Sequence, residues 1–508
     1  MKNYLLFICV GLAATAPNAV AQHDLQRDAV RLIAKGQYDQ AAVKLASGKK
    51  PYGGPAESLF VEALSLLAQD KIEAAETKAR AALAAGLPLG RLAAGPRELL
   101  KKLPPLKAVP APDLIHGPMV GALTESGASI WLRTREAAEI SIMIGDRKIN
   151  GKTSSESNFT GVVKVDGLKP NTAFVGKLLI NGNPVEGGDV HFTTAPSADK
   201  PRPFTVAFGG GAGFVPEWEY MWDTILSRKP LAFLTLGDNV YSDDPEHPIT
   251  QHYCYSRRQS RPEWRRLTAA TPIYSIWDDH DFGVNDCVPG PEIDTPLWKR
   301  DVWNVFRENW VNPAYGGGKK NPGCWYDFHL ADVHFIMLDG RYYRDLKGGS
   351  MLGPVQKAWF KKTLAESKAT FKVIVSPVPF SPKIKKGSKD PWDGFPEERD
   401  EIFSWIGDEK IEGVFLVAAD RHRTDLRTIK NPGAYPLYEF QSSKLTNKHT
   451  HPVVKTDGLI WGYNKTCSFG LMHFDTTGEN PQVKFELIDI DGKTHEEHTL
   501  RLSELKLP

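Results

Sequence analysis

Three apolar runs between residues 231 and 417 of this 508-residue chain each end abruptly in a cluster of acidic and imidazole side chains. Residues 231–236 lead into Gly237-Asp238-Asn239-Val240-Tyr241, residues 273–277 into Asp278-Asp279-His280-Asp281, and residues 414–417 into Ala418-Ala419-Asp420-Arg421-His422. Short apolar runs separated by helical stretches read as strands of a largely parallel α/β sheet. In such a sheet ligands gather outside the carboxyl ends of the strands. Asp238, Tyr241, Asp279, His280, Asp420 and His422 are therefore expected on one rim. Any one of these clusters alone reads as a turn or an N-cap; three in series behind three strands read as a site. Oxygen donors and imidazole without thiolate describe a di- or polynuclear metal centre. A carboxylate can bridge two cations, and paired cations can clamp the attacking and leaving oxygens of an in-line displacement.

The surrounding sequence divides into four parts. Residues 1–21 have a positive end at Lys2, an apolar stretch over 4–16 and a small-x-small site at Ala19-Val20-Ala21, the pattern of a cleaved export leader. The mature protein is thus expected in a periplasm or outside the cell. No later run is long and apolar enough to span a membrane. Residues 22–107 read as helix, and residues 34–42 are echoed by residues 68–76 at an offset of 34, the period of a tetratricopeptide (TPR) hairpin. This predicts a small all-α TPR-like module that leans on its neighbour and is suited to holding a protein partner, with an ordinary helical bundle as the plainer reading. Over 112–197, alternating runs at 128–133, 139–144, 161–165 and 189–194 predict a fibronectin-III-like β-sandwich. Residues 204–508 form the α/β domain, with further strands at 204–208 and 335–338. Past the leader, Cys254, Cys287, Cys324 and Cys467 make an even count, which in an exported chain suits two disulfides. Spacing does not fix the pairing; Cys254–Cys287 is the expected one. The 63 Lys+Arg balance 61 Asp+Glu, which argues against a general nucleic-acid binder.

The order GDN-x-Y, WDDHD, ADRHRTDL resembles the alkaline phosphatase D (PhoD-like) family of calcineurin-like metallophosphoesterases. The likeness continues in Leu338-Asp339-Gly340-Arg341-Tyr342-Tyr343-Arg344-Asp345, in residues 352–360 and in Asp390-Pro391-Trp392-Asp393-Gly394-Phe395. It covers about residues 112–470. It implies an α/β metallophosphoesterase core, a β-sandwich flanked by helices, that acts as a metal-dependent phosphatase or phosphodiesterase through a metal-activated hydroxide. In that scheme Asp238 bridges metals, Tyr241 binds a ferric ion through its phenolate, and Asp279 binds a second metal with Asp278 beside it. His280 is the general acid, and Asp420 and His422 complete the metal shell. Fe(III) and Ca(II) are the implied cofactors. Arg341 and Arg421 are candidate oxyanion clamps, because guanidinium matches phosphate geometry, with ion pairing as the alternative. Trp392 falls in the family's substrate-side aromatic loop, beside a Lys383, Lys385, Lys386 and Lys389 cluster that reads as a solvated loop or an anion attractor. The other histidines, His449 and His451 among them, are expected to be structural or exposed.

One departure stands out. The family's core begins with a strand ending in Phe-x-Ser-Cys, whose cysteine ligates iron; here the strand ends Phe208-Gly209-Gly210-Gly211, so Gly211 replaces the thiolate. Another divalent metal, water or substrate in the gap, or loss of activity would follow. A backbone cradle for an anion in the glycine run is a secondary reading. The expected substrate is a phosphorylated small molecule, lipid or glycan, with phospholipase D-like diesters and sulfate esters as alternatives. A catalytically weakened binding protein is the rival from another class.

Overall fold

The computed structural model describes residues 24–47, 53–104, 112–198, 200–431 and 434–507. The expected leader over 1–21 and most of the proline-rich linker before Pro112 lie outside the described residues.

The N-terminal helices are α1 (Leu25–Ala34), α2 (Tyr38–Ala46), α3 (Gly54–Ala68) and α4 (Ile72–Ala84). The echoed sequence falls on the turns between them. Gly36 (φ 73°) ends the first hairpin's leading helix and Asp70 (φ 57°) ends the second's, 34 residues on. Small buried residues line the contact, among them Ala29, Ala41, Ala75, Ala79 and Ala82, around Phe60 and Leu64.

Seven strands follow: β1 (Leu114–Thr124), β2 (Gly127–Thr134), β3 (Glu139–Ile144), β4 (Arg147–Lys152), β5 (Thr160–Val165), β6 (Ala173–Ile180) and β7 (Asn183–Thr193). They divide into β1-β2-β5 and β4-β3-β6-β7. The first group does not stand alone. β1 pairs in parallel with Ile273–Ile276, so β1, β2 and β5 extend a sheet of the large domain to nine strands. A boundary drawn at the connection after β7 thus separates chain segments while the sheet runs on across them.

The remaining strands of that sheet run, from its far edge, Thr494–Arg501, Gln482–Asp489, Ser468–Asp475, Phe204–Gly209, Ala232–Leu236 and Ile273–Ile276. A seven-stranded sheet packs on it, ordered Tyr326–Leu330, Val333–Met337, Phe371–Val375, Val414–Ala418, Leu437–Ser442, Thr424–Ile429 and Leu459–Tyr463. Phe474 meets Phe335, Phe371 and Phe415 across the interface, and Phe485 meets Phe440. Ala232–Leu236 and Val414–Ala418 are buried at every position, as strands covered on both faces require.

The helix Pro248–Gln259 joins the helical module to this core. Arg257 pairs with Asp24, the N-cap of α1, and Arg91 bonds both Glu57 and the Ser256 hydroxyl. All these groups are buried, which makes the module an integral layer.

The expected disulfides are absent. Cys254, Cys287, Cys324 and Cys467 are free and buried. Cys254 Sγ faces the Tyr241 carbonyl at 3.9 Å and Cys467 Sγ faces the Asn447 carbonyl at 3.7 Å, while Cys287 packs near Gly283. Burial pushes the Cys254 and Cys467 thiols up to about 12, so they behave as small apolar side chains.

Candidate active site

The three strand ends meet as the alternation of apolar runs and polar clusters requires. Gly237 (φ 94°) allows the first loop to pass against the second: a Cβ there would lie 2.5 Å from Asp278 Cβ. Asp238, Asp420 and His422 all have left-handed backbones (φ 53°, 65° and 46°), a costly conformation for non-glycine residues that clusters at functional sites. Asp281 laces the first two loops together. Its carboxylate accepts from the backbone N–H of Asn239, Val240 and Asp278, and burial with the nearby Asp238 raises it to about 8.

Five of the six rim residues named from sequence form one neighbourhood. Tyr241 donates its hydroxyl to Asp238 Oδ2 at 2.9 Å and lies 3.0 Å from His422 Nε2. One carboxylate oxygen of Asp238, one of Asp279 and a ring nitrogen of His280 lie within 4.8 Å of one another. Asp420, the sixth, is held by Arg421 at 3.3 Å. Burial lifts the Asp238 carboxyl well above its usual range, and the charges of Asp279 and Asp420 add to this against the pull of His280. Burial and Asp238 likewise raise the Tyr241 phenol.

That crowding tests whether the residues suit metal ions. Asp238 Oδ1, Asp278 Oδ2 and His422 Nδ1 are buried without hydrogen-bond partners. Unpaired buried acceptors beside mutually repelling carboxylates are costly unless a cation satisfies them. The donor set, carboxylates with phenol and imidazole, fits.

His280 has a support that the sequence did not reveal. Its Nδ1 is hydrogen-bonded to Asp243 Oδ1, leaving Nε2 as the nitrogen available to a ligand. Burial alone would lower this imidazole, but Asp243, Asp279 and Asp238 outweigh it and hold it well above the ordinary histidine range. Asp243 Oδ2 in turn accepts from Arg27 Nη1 at 3.0 Å, and the same nitrogen donates to the Tyr241 carbonyl at 3.1 Å. The helical module therefore reaches the site through α1.

Two side chains expected at the substrate are fully buried and engaged with protein groups. Arg341 is 0% exposed; its guanidinium pairs with Asp278 and, at 2.6 Å, with Asp390. It braces the WDDHD loop, with Nη2, which lacks a hydrogen bond, 3.8 Å from Asp279 Oδ1. Trp392 is also 0% exposed, stacked on Phe380 at 4.8 Å with its indole N–H on Ser376 Oγ. The Asp390–Phe395 segment is amphipathic, and the sequence did not show which side it buries. Arg421 is buried beside Asp420, with Nε unpartnered. Of the lysine cluster, Lys385 is committed to Asp286 at 2.8 Å and Asp390 at 3.4 Å, while Lys383, Lys386 and Lys389 are exposed.

The glycine run offers no anion cradle. The N–H groups of Gly210, Gly211 and Ala212 donate to the carbonyls of Ser442, Gly237 and Asp238. Gly211 (φ 72°) faces His422: a Cβ there would lie 3.4 Å from His422 Cδ2 and 3.1 Å from Ser443 Oγ and the Lys444 nitrogen. His449 and His451, expected to be structural or exposed, sit half-buried beside His422.

Known proteins resemble this chain in sequence and in fold. Residues 206–495 match the PhoD-like phosphatase family, and residues 111–192 match a family described as a domain of unknown function. Alkaline phosphatase D of Bacillus subtilis (strain 168) is 22% identical over 309 residues, 51% of this chain and 52% of the relative; the chain spans about half the length of that protein. A solved structure of PhoD superposes with a TM-score of 0.62 at 15% identity, over 75% of this chain and 92% of that one. A purple acid phosphatase from yellow lupin (Lupinus luteus) seeds superposes at 0.56 and 12% identity, over 76% and 75%. The two structures share the metallophosphoesterase fold seen here. The family match takes in all three rim clusters and more than half of the sequence: the chain belongs to the PhoD-like phosphatase family.

Proposed function

We propose that the protein is an exported, metal-dependent phosphoester hydrolase in which His280 is the general acid. The observation that carries this is His280 itself: an imidazole backed by Asp243 and set against the Asp238–Asp279 carboxylate pair. Bound cations would supply Lewis-acid polarisation of the phosphoryl oxygens and a nucleophile at neutral pH. Asp238, Tyr241, Asp279, Asp420 and His422 are the residues that would hold them. Asp243 keeps the proton on His280 Nδ1 and fixes the ring, so that Nε2 can protonate the departing oxygen. Arg421, beside the rim, is the remaining candidate for binding substrate oxygens. The exposed Lys383, Lys386 and Lys389 favour an anionic substrate, phosphorylated or sulfated, on a small molecule, lipid or glycan. Export to a periplasm or beyond rests on the leader-type sequence of residues 1–21. The three-plus-four division of β1–β7 supports a fibronectin-III-like reading, and the paired hairpins of α1–α4 a TPR-like one, with room for a protein partner.

The test is turnover of p-nitrophenyl phosphate and bis-p-nitrophenyl phosphate, with elemental analysis, before and after chelation. Chelation should abolish hydrolysis and metal restore it. A metal-loaded, folded protein that hydrolyses no phosphate or sulfate ester would overturn the proposal.

The Arg27 contact yields a second expected result. Arg27→Ala removes the charge that orients Asp243 behind His280, the kind of outer support whose loss costs about 10- to 100-fold. The fall should appear in kcat with KM little changed, and Arg27→Lys should recover part of it. Unaltered kcat would show that α1 only packs against the core.

A further inference from the structure

We propose that His422, His449 and His451 form a three-imidazole site for a divalent transition-metal cation of the zinc type. This rests on the metal-dependent reading above and adds two ligands, His449 and His451, that the three rim motifs do not contain.

The first observation is convergence. His449 Nε2 and His451 Nε2 lie 3.2 Å apart. A ring nitrogen from each of His422, His449 and His451 lies within 4.8 Å of the other two. The second is an unanswered acceptor: His422 is 6% exposed and its Nδ1 has no hydrogen-bond partner. The third is anchoring. The segment that carries the pair is tied to the residue it approaches, because Thr450 donates its hydroxyl to the His422 carbonyl at 3.1 Å. On either side, Asn447 Oδ1 accepts from the His449 N–H at 2.9 Å and Asn464 Nδ2 donates to the His451 carbonyl at 3.0 Å. A pair of imidazoles held this firmly does not owe its approach to loop freedom.

Gly211 lies against the Cδ2–Nε2 edge of His422, the edge that faces Tyr241, while Nδ1 is on the other edge. Its missing side chain points at the His422 ring, so a thiolate at this position would have arrived beside that imidazole. The left-handed backbone and the contacts with Ser443 and Lys444 leave glycine as the comfortable residue. The loop after the strand Leu437–Ser442 supplies two neutral nitrogen donors beside the same imidazole. The donor type selects the metal. Three imidazoles suit zinc, copper, nickel or ferrous iron, whereas calcium takes oxygen ligands. Three nitrogens with a fourth position open is also the composition of a catalytic zinc site.

The experiment titrates the metal-stripped full chain with Zn(II) and with Co(II), reading stoichiometry by calorimetry and the cobalt d–d absorption. The proteins compared are the wild type, His449→Ala/His451→Ala and His449→Asn/His451→Asn. Both double variants alter half-buried loop side chains, and circular dichroism checks that they fold. In both variants one equivalent of zinc should be lost, or its affinity should fall by about tenfold or more, and the nitrogen-ligand cobalt spectrum should disappear. Wild-type stoichiometry, affinity and spectrum in the double variants would overturn the site. Turnover is measured separately. Histidine-dependent zinc binding in a protein without phosphoesterase activity would remove the hydrolase reading and leave this one. Turnover with zinc binding indifferent to both substitutions would do the reverse.

Discussion

His280→Ala should lower kcat on alkyl phosphoesters by about 10²- to 10⁴-fold, the usual contribution of a positioned acid or base. On p-nitrophenyl phosphate the loss should be much smaller, because nitrophenolate departs without needing a proton. Leaving-group dependence is therefore the diagnostic measurement, and it separates proton donation from every effect that slows all substrates alike. The structure gives the reason for the expectation. Asp243 occupies Nδ1, and neighbouring carboxylates hold the imidazole well above its ordinary range despite burial, so the ring keeps a proton to give. His280 also lies among the donor atoms of Asp238 and Asp279, which makes metal content the necessary companion measurement. Turnover lost with the metal retained identifies the acid. A proportional fall in bound metal, with equal losses on good and poor leaving groups, would make His280 a ligand and leave the reaction without this acid.

The sequence made the rim legible because the information there is local. Apolar runs expected at 231–236, 273–277 and 414–417 appear as Ala232–Leu236, Ile273–Ile276 and Val414–Ala418, and the cluster after each is bound to stand at the strand's carboxyl end. The 34-residue echo is local too: it falls on two turns, at Gly36 and Asp70, whose chemistry is contained in a few residues. What stayed hidden was tertiary. Arg27 and Asp243 are 216 positions apart in sequence, and no periodicity announces that one will support the other. Nor does alternation in β1, β2 and β5 say that their sheet will continue into a neighbouring domain. The cysteine count assumed that an exported chain uses its thiols as staples, whereas these four occupy separate packed sites. His449 and His451 did carry a signal, two histidines one residue apart, but only the fold brings them to His422.

Arg341→Met should destabilise the protein by about 3–5 kcal/mol, the range found when one partner of a buried ion pair is removed. The argument begins with the charges left behind. Arg341 bonds Asp278 and Asp390, and all three are buried. Arg344 and Lys385 also reach Asp390, so that carboxylate keeps two partners. Asp278 has no other ion-pair partner among the described residues, and its Oδ2 already lacks a hydrogen bond. Most of the cost should therefore come from Asp278, and a double variant that also carries Asp278→Asn should recover a good part of it, as coupled neighbours do. Arg341→Lys should recover less, because one ammonium cannot span two carboxylates as a planar guanidinium does. The measurement is the urea midpoint with the slope held constant. Activity supplies the contrast. Asp278 caps the turn Asp279–Phe282 that presents Asp279 and His280, so loosening it should lower kcat. A direct phosphate clamp would instead raise KM in a protein of unchanged stability, and that outcome would return Arg341 to the substrate.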